Sequence, residues 1–311
     1  MTKKKLVVAL GRSAFGETFP EQRLAVKRAA KAIADLVEEN YQILITHSNG
    51  PQVGMFQTAM TEFSRLDSRY TVAPMSVCGA LSQGYIGYDL QNVIRTELLN
   101  RGIFKPVSTL ITQVRVDPFD KAFSTPTKII GRYMTEQEAE LEKQKGNYVV
   151  YEEGKGYRRI IASPKPMEVY EIDAIKALLD ANQIVIAGGG GGIPVLEQGT
   201  VLKGASAVIE KDYTSELLAE LVNADTLLFL TGVEKAAIHY GTPKEQPLGK
   251  VSLEEAKEYI EKGYFESGSM LPKIEASVKF VSAASGRQAL ITQLETVKDA
   301  LKGKTGTILA S

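Results

Sequence analysis

Three short apolar runs in this sequence each end on glycine: LVVALGRSAFG at Gly11, Arg12 and Ser13; ILITHSNGPQVG at Ser48, Asn49 and Gly50; and IVIAGGGGGIP at the five glycines 188–192. Glycine leaves backbone N–H groups uncovered, so successive amides can converge on an anion. A helix beginning just after such a turn adds partial positive charge. Cations and a carboxylate complete the set. GASAVIEKDYTSELLAELVNAD places Glu210, Lys211 and Asp212 before a helical pattern, ESGSMLPKIEA places Lys273 after Pro272 at another helix start, and TPTKIIG carries Lys128. Lysine in a first helical turn opposes the helix dipole, which gives Lys273 functional weight. The combination describes phosphate chemistry. Amides and lysines would neutralise a transferring phosphoryl group, and Asp212 would organise Lys211 or hold magnesium through water.

Each of these features also has an ordinary reading: a plain tight turn, an N-cap aspartate beside a solvated lysine, or a surface charge. Three glycine turns at successive strand ends favour the phosphate reading. Familiar nucleotide motifs do not apply. GKT at 303–305 resembles the end of a P-loop, but Lys298 stands where the first glycine is required, and no GxGxxG follows the first strand. Tyr240, in AAIHYGTPK, offers a packing surface for a nucleobase, whereas His47, on an apolar strand end, reads as a hydrogen-bonded structural histidine.

The elements that must position these residues alternate. Strand patterns occur at 6–10, 42–47, 107–116, 184–189, 226–231, 289–294 and 306–310, most of them apolar on both faces. Helical patterns lie at 20–40, 52–65, 83–101, 170–181, 213–223, 253–263, 271–284 and 295–302. The first of these opens with Pro20 and Glu21, a helix-start signature. This alternation predicts an α/β fold with a mostly parallel sheet covered on both faces. Residues 117–168 break the rhythm with prolines, glycines and short strands such as NYVVYEE and YRRIIAS, and predict a small hairpin-rich subdomain inserted into one domain spanning 1–311.

Composition narrows the function. The 311 residues carry 37 Lys+Arg against 37 Asp+Glu, so no global charge draws the chain to nucleic acid or an anionic membrane. A single cysteine, Cys78, and two histidines, His47 and His239, argue against an intrachain disulfide, a thiolate cluster or a histidine-rich metal centre. The basic opening MTKKK precedes an apolar run too short for a signal-peptide core, and nothing approaches the roughly 20 apolar residues of a membrane span. A cytoplasmic protein is expected.

At this point the sequence resembles a known family. The segments NGPQVG (49–54), LSQGYIGYDLQN (81–92), GYRRIIASPKP (156–166), GGGGIPV (189–195), LAELVNAD (218–225), GSMLPKIEA (268–276) and GKTGT (303–307) are similar to carbamate kinase, within the amino-acid kinase superfamily, and the similarity runs from residue 5 to residue 308. The resemblance implies a three-layer αβα sandwich, a protruding subdomain and a homodimer. It implies reversible phosphoryl transfer between ATP and carbamate with Mg2+, usually making ATP from ADP and carbamoyl phosphate in the breakdown of arginine or purine-derived nitrogen compounds. Carried over, Gly11, Arg12 and Ser13 face the transferred phosphoryl group, and Ser48, Asn49 and Gly50 bind carbamate or phosphate. Lys128 reaches in from the subdomain, and Gly189, Gly190, Gly191 and Gly192 line the phosphate path. Lys211 and Asp212 form a central charge pair. Lys211, Lys273 and Met270 meet the nucleotide, with Tyr240 by the adenine. No residue is assigned as a direct metal ligand.

The substrate turns depart from the family pattern. Where the family reads Gly-Gly-Asn-Ala, this chain reads Gly11-Arg12-Ser13-Ala14; where it reads His-Gly-Asn-Gly, this chain has His47-Ser48-Asn49-Gly50. Ile-Asp-Lys-Asp is Ile209-Glu210-Lys211-Asp212, and Pro-Thr-Lys-Pro-Ile-Gly is Pro126-Thr127-Lys128-Ile129-Ile130-Gly131. If the first turn needs positive φ, Arg12 costs of order 1 kcal/mol in strain. Losing an amide donor at Ser13 can cost about 10²–10³ in rate. Three readings follow: a working carbamate kinase, a kinase for another small carboxylic acid whose extra carboxylate pairs with Arg12, or a weak or inactive paralogue that keeps nucleotide.

Overall fold

The first strand pattern is apolar at every position because both of its faces are covered. The structure, a computed structural model, describes residues 3–16, 18–67 and 69–310. Met1 and Thr2 of the basic opening stretch, and Glu17 beyond the first turn, lie outside the described residues.

In chain order, β1 (Lys5–Leu10), α1 (Phe19–Glu38), β2 (Gln42–His47), α2 (Gly50–Leu66), α3 (Met75–Asn100) and β3 (Val107–Thr109) come first. Then follow β4 (Gln113–Val116), β5 (Lys128–Met134), α4 (Glu136–Gln144), β6 (Tyr148–Glu152), β7 (Gly156–Ile161) and β8 (Pro166–Val169). The middle of the chain holds α5 (Ile172–Asp180), β9 (Ile184–Ile186), β10 (Ile193–Gln198), β11 (Val201–Gly204), α6 (Lys211–Leu221) and β12 (Thr226–Leu230). The last part holds β13 (Ala237–Ile238), β14 (Gln246–Pro247), β15 (Lys250–Val251), α7 (Leu253–Glu261), α8 (Leu271–Ser282), β16 (Gln288–Thr292), α9 (Val297–Leu301) and β17 (Thr307–Ala310).

Eight strands form the central sheet in the order β15-β17-β16-β12-β1-β2-β9-β3. It is mostly parallel, as the alternation predicts, with β17 returning antiparallel to β16. The period of two along each strand splits its side chains between two cores. Leu6, Val8 and Leu10 join Ile33 and Leu36 of α1 and Ile86 and Leu90 of α3. Val7 and Ala9 join Leu218 of α6 and Ile274 and Phe280 of α8. The start of α1 is fixed by a capping box, in which Thr18 accepts from the Glu21 N–H while Glu21 accepts from Thr18 N.

Several elements differ from the sequence reading. The run 107–116 is not one strand. Its first part, β3, pairs with β9 in the central sheet, and its second, β4, pairs with β10 and β8 in a separate four-stranded sheet. The break falls at Thr112, whose N–H leaves the ladder for the Gln83 side chain at 2.8 Å. Helix α3 begins at Met75 rather than 83; Gly79 and the poor helix formers Ser76 and Val77 dilute the helical signal in its first turns. The β10–β11 hairpin was not anticipated. Within 117–168, β5, β7 and β6 form their own antiparallel sheet, which also carries α4, begun by a Thr135–Glu138 capping box. A small core of Val53, Met75, Cys78, Ile130 and Ile161 seats this sheet on α2 and α3.

Candidate active site

Within the central sheet, the order β9-β2-β1-β12-β16 winds outward in both directions from β1. In such sheets a crevice opens beyond the carboxyl ends of the strands where the winding reverses. All three glycine turns and the first turns of α2, α6 and α8 gather at this edge.

Gly11 closes β1 there, donating its N–H to Leu230 O on β12 at 2.8 Å, while Ser48 N donates to Leu10 O at 2.9 Å. Glycine is required at position 11 for closeness, since a Cβ would stand 2.8 Å from Leu230 O. Its φ is an ordinary −75°. Arg12 and Ser13 begin a single 3-10 turn with exposed side chains, and neither has positive φ. The backbone strain considered for Arg12 therefore does not arise.

In the second turn Asn49 occupies the N-cap position of α2 without capping it. Its side-chain amide instead donates to Ser82 Oγ on α3 at 2.8 Å. Gly50 follows as an exposed residue, with nothing within 4 Å of where a Cβ would lie. His47 is 1% exposed and donates from Nδ1 to Ser48 O at 3.0 Å. Burial pushes its pKa down to about 4, so the ring is neutral near pH 7. This agrees with its reading as a structural histidine.

The third turn is bare because its neighbours leave no room. A Cβ on Gly189 would lie 2.2 Å from His47 Nε2, and one on Gly190 would lie 2.1 Å from Asn49 Nδ2. Gly190, Gly191 and Gly192 also have positive φ of 64°, 88° and 91°. The run turns on itself, with Gly191 N donating to Gly188 O and Gly192 N to Gly189 O, both at 3.0 Å. Its amides therefore do not all converge outward. Gly188 N donates instead to Thr112 Oγ1 at 2.9 Å, which leaves the N–H groups of Gly189 and Gly190 as the two not drawn into the run or its neighbours.

The charged residues meet across the crevice. Lys211 and Asp212 open α6, and the N-cap position is Glu210 rather than Asp212. Asp212, 1% exposed, accepts from Lys211 Nζ on Oδ1 and from Lys273 Nζ on Oδ2, the latter at 3.0 Å. Lys211 and Lys273 are each only 8% exposed, which removes the surface-charge reading of Lys273. Burial works to raise the Asp212 carboxyl's pKa, but the two lysines outweigh it and hold the group ionised, below its ordinary range. Burial pushes the Lys211 ammonium below its usual value, against the pull of Asp212. Two buried cations on one carboxylate leave a net positive charge, a setting that favours an anion. Beside them Lys128, the first residue of β5, pairs with Glu210 at 2.5 Å and ties the small sheet to the start of α6.

Met270 precedes α8, partly buried against the core, and its carbonyl accepts from Lys273 N at 3.0 Å. Tyr240 is 63% exposed, in the turn between β13 and β14. Sequence reasoning did not single out Gln83, Thr112 or Thr214, which hold the glycine run from both sides. Gln83 lies inside the quoted segment LSQGYIGYDLQN, but its burial is seen only in the structure. A cavity of about 380 Å³ along α2, reached by Gln57, Met75 and Arg159, contains none of the site lysines.

Residues 4–293 match the Amino acid kinase family. The chain is 52% identical over 306 residues to the carbamate kinase-like protein YqeA of Escherichia coli (strain K12), covering 98% of this chain and 99% of that protein. It is 46% identical over 309 residues to the carbamate kinase of Clostridium perfringens (strain 13 / Type A), covering 97% and 98%. Its fold is similar to that of the carbamate kinase from Giardia lamblia bound to AMP-PNP, with a TM-score of 0.93, 37% identity and 99% of each chain covered.

Proposed function

We infer the activity from one premise: the chain belongs to the amino acid kinase family, and within it to the carbamate kinases. It is a carbamate kinase-like phosphotransferase with ATP and ADP as its nucleotide substrates. The observation that carries the reading in this chain is the buried Lys211–Asp212–Lys273 cluster at the winding reversal of the sheet.

In the proposed mechanism ADP phosphates meet Lys211 and Lys273, and Asp212 keeps both ammonium groups aimed. Carbamoyl phosphate lies at the Gly11–Ser13 and Ser48–Gly50 turns, with Lys128 reaching it from the small sheet. The P–O bond to carbamate breaks as a P–O bond to the ADP β-phosphate forms, and released carbamate decomposes to CO2 and ammonia. Amides at Gly189 and Gly190 line the path. No protein nucleophile is required, since alignment and charge neutralisation supply the catalysis.

Among the described residues no three His, Cys, Asp or Glu side chains gather to hold a metal. The nearby carboxylates, Asp212 and Glu210, are each paired with lysine. This donor set fits a magnesium ion that arrives on the nucleotide and is held by its phosphates, with at most one carboxylate through water. Magnesium bound in that way supplies further neutralisation of phosphate charge.

We further propose a cytoplasmic homodimer acting in arginine or purine-nitrogen breakdown. Support for the dimer lies on α3, where Val77, Leu81, Tyr88 and Leu99 are 44%, 41%, 66% and 46% exposed at spacings that fall on one helical face. Among the described residues no helix is long and apolar enough to cross a membrane.

Phosphorus NMR of the chain with ADP, Mg2+ and carbamoyl phosphate tests the activity. The expected result is loss of the carbamoyl phosphate signal with matching growth of ATP, and slower use of acetyl phosphate. Preference for acetyl phosphate, or no turnover, contradicts the reading.

A further inference from the structure

We propose that Ser82 and Gln83, adjacent on α3, are positioning residues that hold two of the three anion turns in register for the reaction. The proposal rests on the carbamate kinase reading and names residues that reading leaves without a role. Both are buried, at 0% and 1% exposure, in the middle of a helix, where a polar side chain persists only if its groups are bonded.

Gln83 meets that condition completely. Its Oε1 accepts from Thr112 N at 2.8 Å, and its Nε2 donates to Thr112 O at 3.2 Å and to Gly189 O at 3.0 Å. The N–H of Thr112 requires an acceptor, and the two carbonyls require a donor, so only one orientation of the amide satisfies all three. Thr112 extends the hold, because its Oγ1 accepts from Gly188 N at 2.9 Å. Gln83 on α3 and Thr112 just before β4 therefore fix Gly188 and Gly189 from one side, while Thr214 on α6 donates to Gly191 O at 2.8 Å from the other. Ser82 points to the other turn. Its Oγ accepts from Asn49 Nδ2 at 2.8 Å and donates to Gly79 O at 2.6 Å. Successive helix residues point about 100° apart, so neighbours on α3 can reach separate turns.

The two holds act on different parts of the reaction. Ser82 sets the Asn49 amide, on the carbamoyl phosphate side. Gln83 sets the glycine run, along the path of the moving phosphoryl group. Ser82→Ala is expected to raise the KM for carbamoyl phosphate roughly tenfold with kcat and the ADP KM little changed. Gln83→Glu keeps the shape but replaces the donor facing two carbonyls with a carboxylate oxygen, and is expected to lower kcat roughly 10- to 100-fold. A protonated acid can donate again, so the deficit of Gln83→Glu shrinks as pH falls, whereas that of Gln83→Met does not change with pH.

The experiment measures these kinetic constants against pH, together with hydrogen exchange at the amides of 188–192 in the unaltered chain and in Gln83→Met. Faster exchange confined to that run, with the kinetic split above, supports the proposal. Variants with unchanged constants, or with KM and kcat lowered alike and no dependence on pH, overturn it. If the unaltered chain folds but turns nothing over, the functional reading fails and exchange alone decides. Unchanged protection in Gln83→Met then overturns the positioning role.

Discussion

Lys273 Nζ lies 3.0 Å from Asp212 Oδ2, joining the first turns of α8 and α6 across 61 positions of sequence. Lysine at a helix start works against the helix dipole, and burying it adds a desolvation cost. The Asp212 carboxylate offsets both, and it does so while already bound to Lys211. The cluster thereby carries one positive charge in excess, the charge proposed above to meet phosphate.

Removing the shared carboxylate should expose that dependence. Asp212→Asn leaves two buried ammonium groups facing each other, and is expected to destabilise the fold by about 3 kcal/mol or more. ADP should then raise the melting temperature of the variant more than that of the unaltered chain, because its phosphates replace the lost charge. Equal shifts would count against the cluster as the phosphate site.

Lys128 should behave differently from Lys273. Its side chain is 37% exposed in its pair with Glu210, so Lys128→Ala is expected to change stability by less than about 1 kcal/mol. Its turnover should fall by about 10²-fold, the order seen when one transition-state donor is removed. Lys273→Ala should lose both turnover and stability. Denaturant unfolding and steady-state kinetics on the two variants check the contrast.

Stability against pH should report two opposing groups. His47 has a folded pKa pushed down to about 4, so the unfolded chain binds the extra proton first. Its contribution is complete above the unfolded value near 6.5 and is lost as pH falls towards 4, on the order of 3 kcal/mol in all. Burial pushes Glu216 up to about 7, against the pull of Lys279. Its contribution is complete below the unfolded value near 4.5 and is lost as pH rises towards 7. The two slopes partly cancel between pH 4.5 and 6.5. Glu216→Gln should therefore steepen the loss of stability on acidification, and His47→Gln should reverse it. Urea unfolding at pH 7 and pH 5 measures both.

Two glycines separate packing from ligand space. Gly190→Ala meets both positive φ and the Asn49 amide, and is expected to cost more than about 1 kcal/mol of stability as well as activity. Gly50→Ala has nothing within 4 Å and should fold normally. Loss of turnover in Gly50→Ala with an unchanged melting temperature would mark that opening as substrate space.

Much of this architecture was legible in the sequence. Strands buried on both faces read as unbroken apolar runs, so β1, β2 and β9 stood out, and the glycine turns followed at their ends. What escaped depends on contacts distant in sequence. Nothing local distinguishes a strand that stays in one sheet from the run 107–116, which changes partners at Thr112. The Asp212–Lys273 contact joins segments whose separate patterns are those of ordinary helix starts. Gln83 was hidden because a polar residue inside a helix reads as surface until its neighbours are known. Helix α4 was a different kind of miss, since Thr135 and Glu138 spell a capping box that could have been read. The strain considered for Arg12 assumed a left-handed turn, whereas the chain there makes a 3-10 turn open to any residue.

The central claim is that these loops form a working carbamate kinase site with Arg12 and Ser13 in place. The most direct test compares ATP formation from ADP and carbamoyl phosphate, with magnesium, by the unaltered chain and by an Arg12→Gly, Ser13→Asn double variant. Because Arg12 is exposed and unstrained, turnover is expected in the unaltered chain, below that of the variant by no more than the roughly 10²–10³-fold effect of one lost donor at Ser13. An unaltered chain that folds and binds ADP but makes no ATP, with activity appearing only in the variant, would contradict that claim.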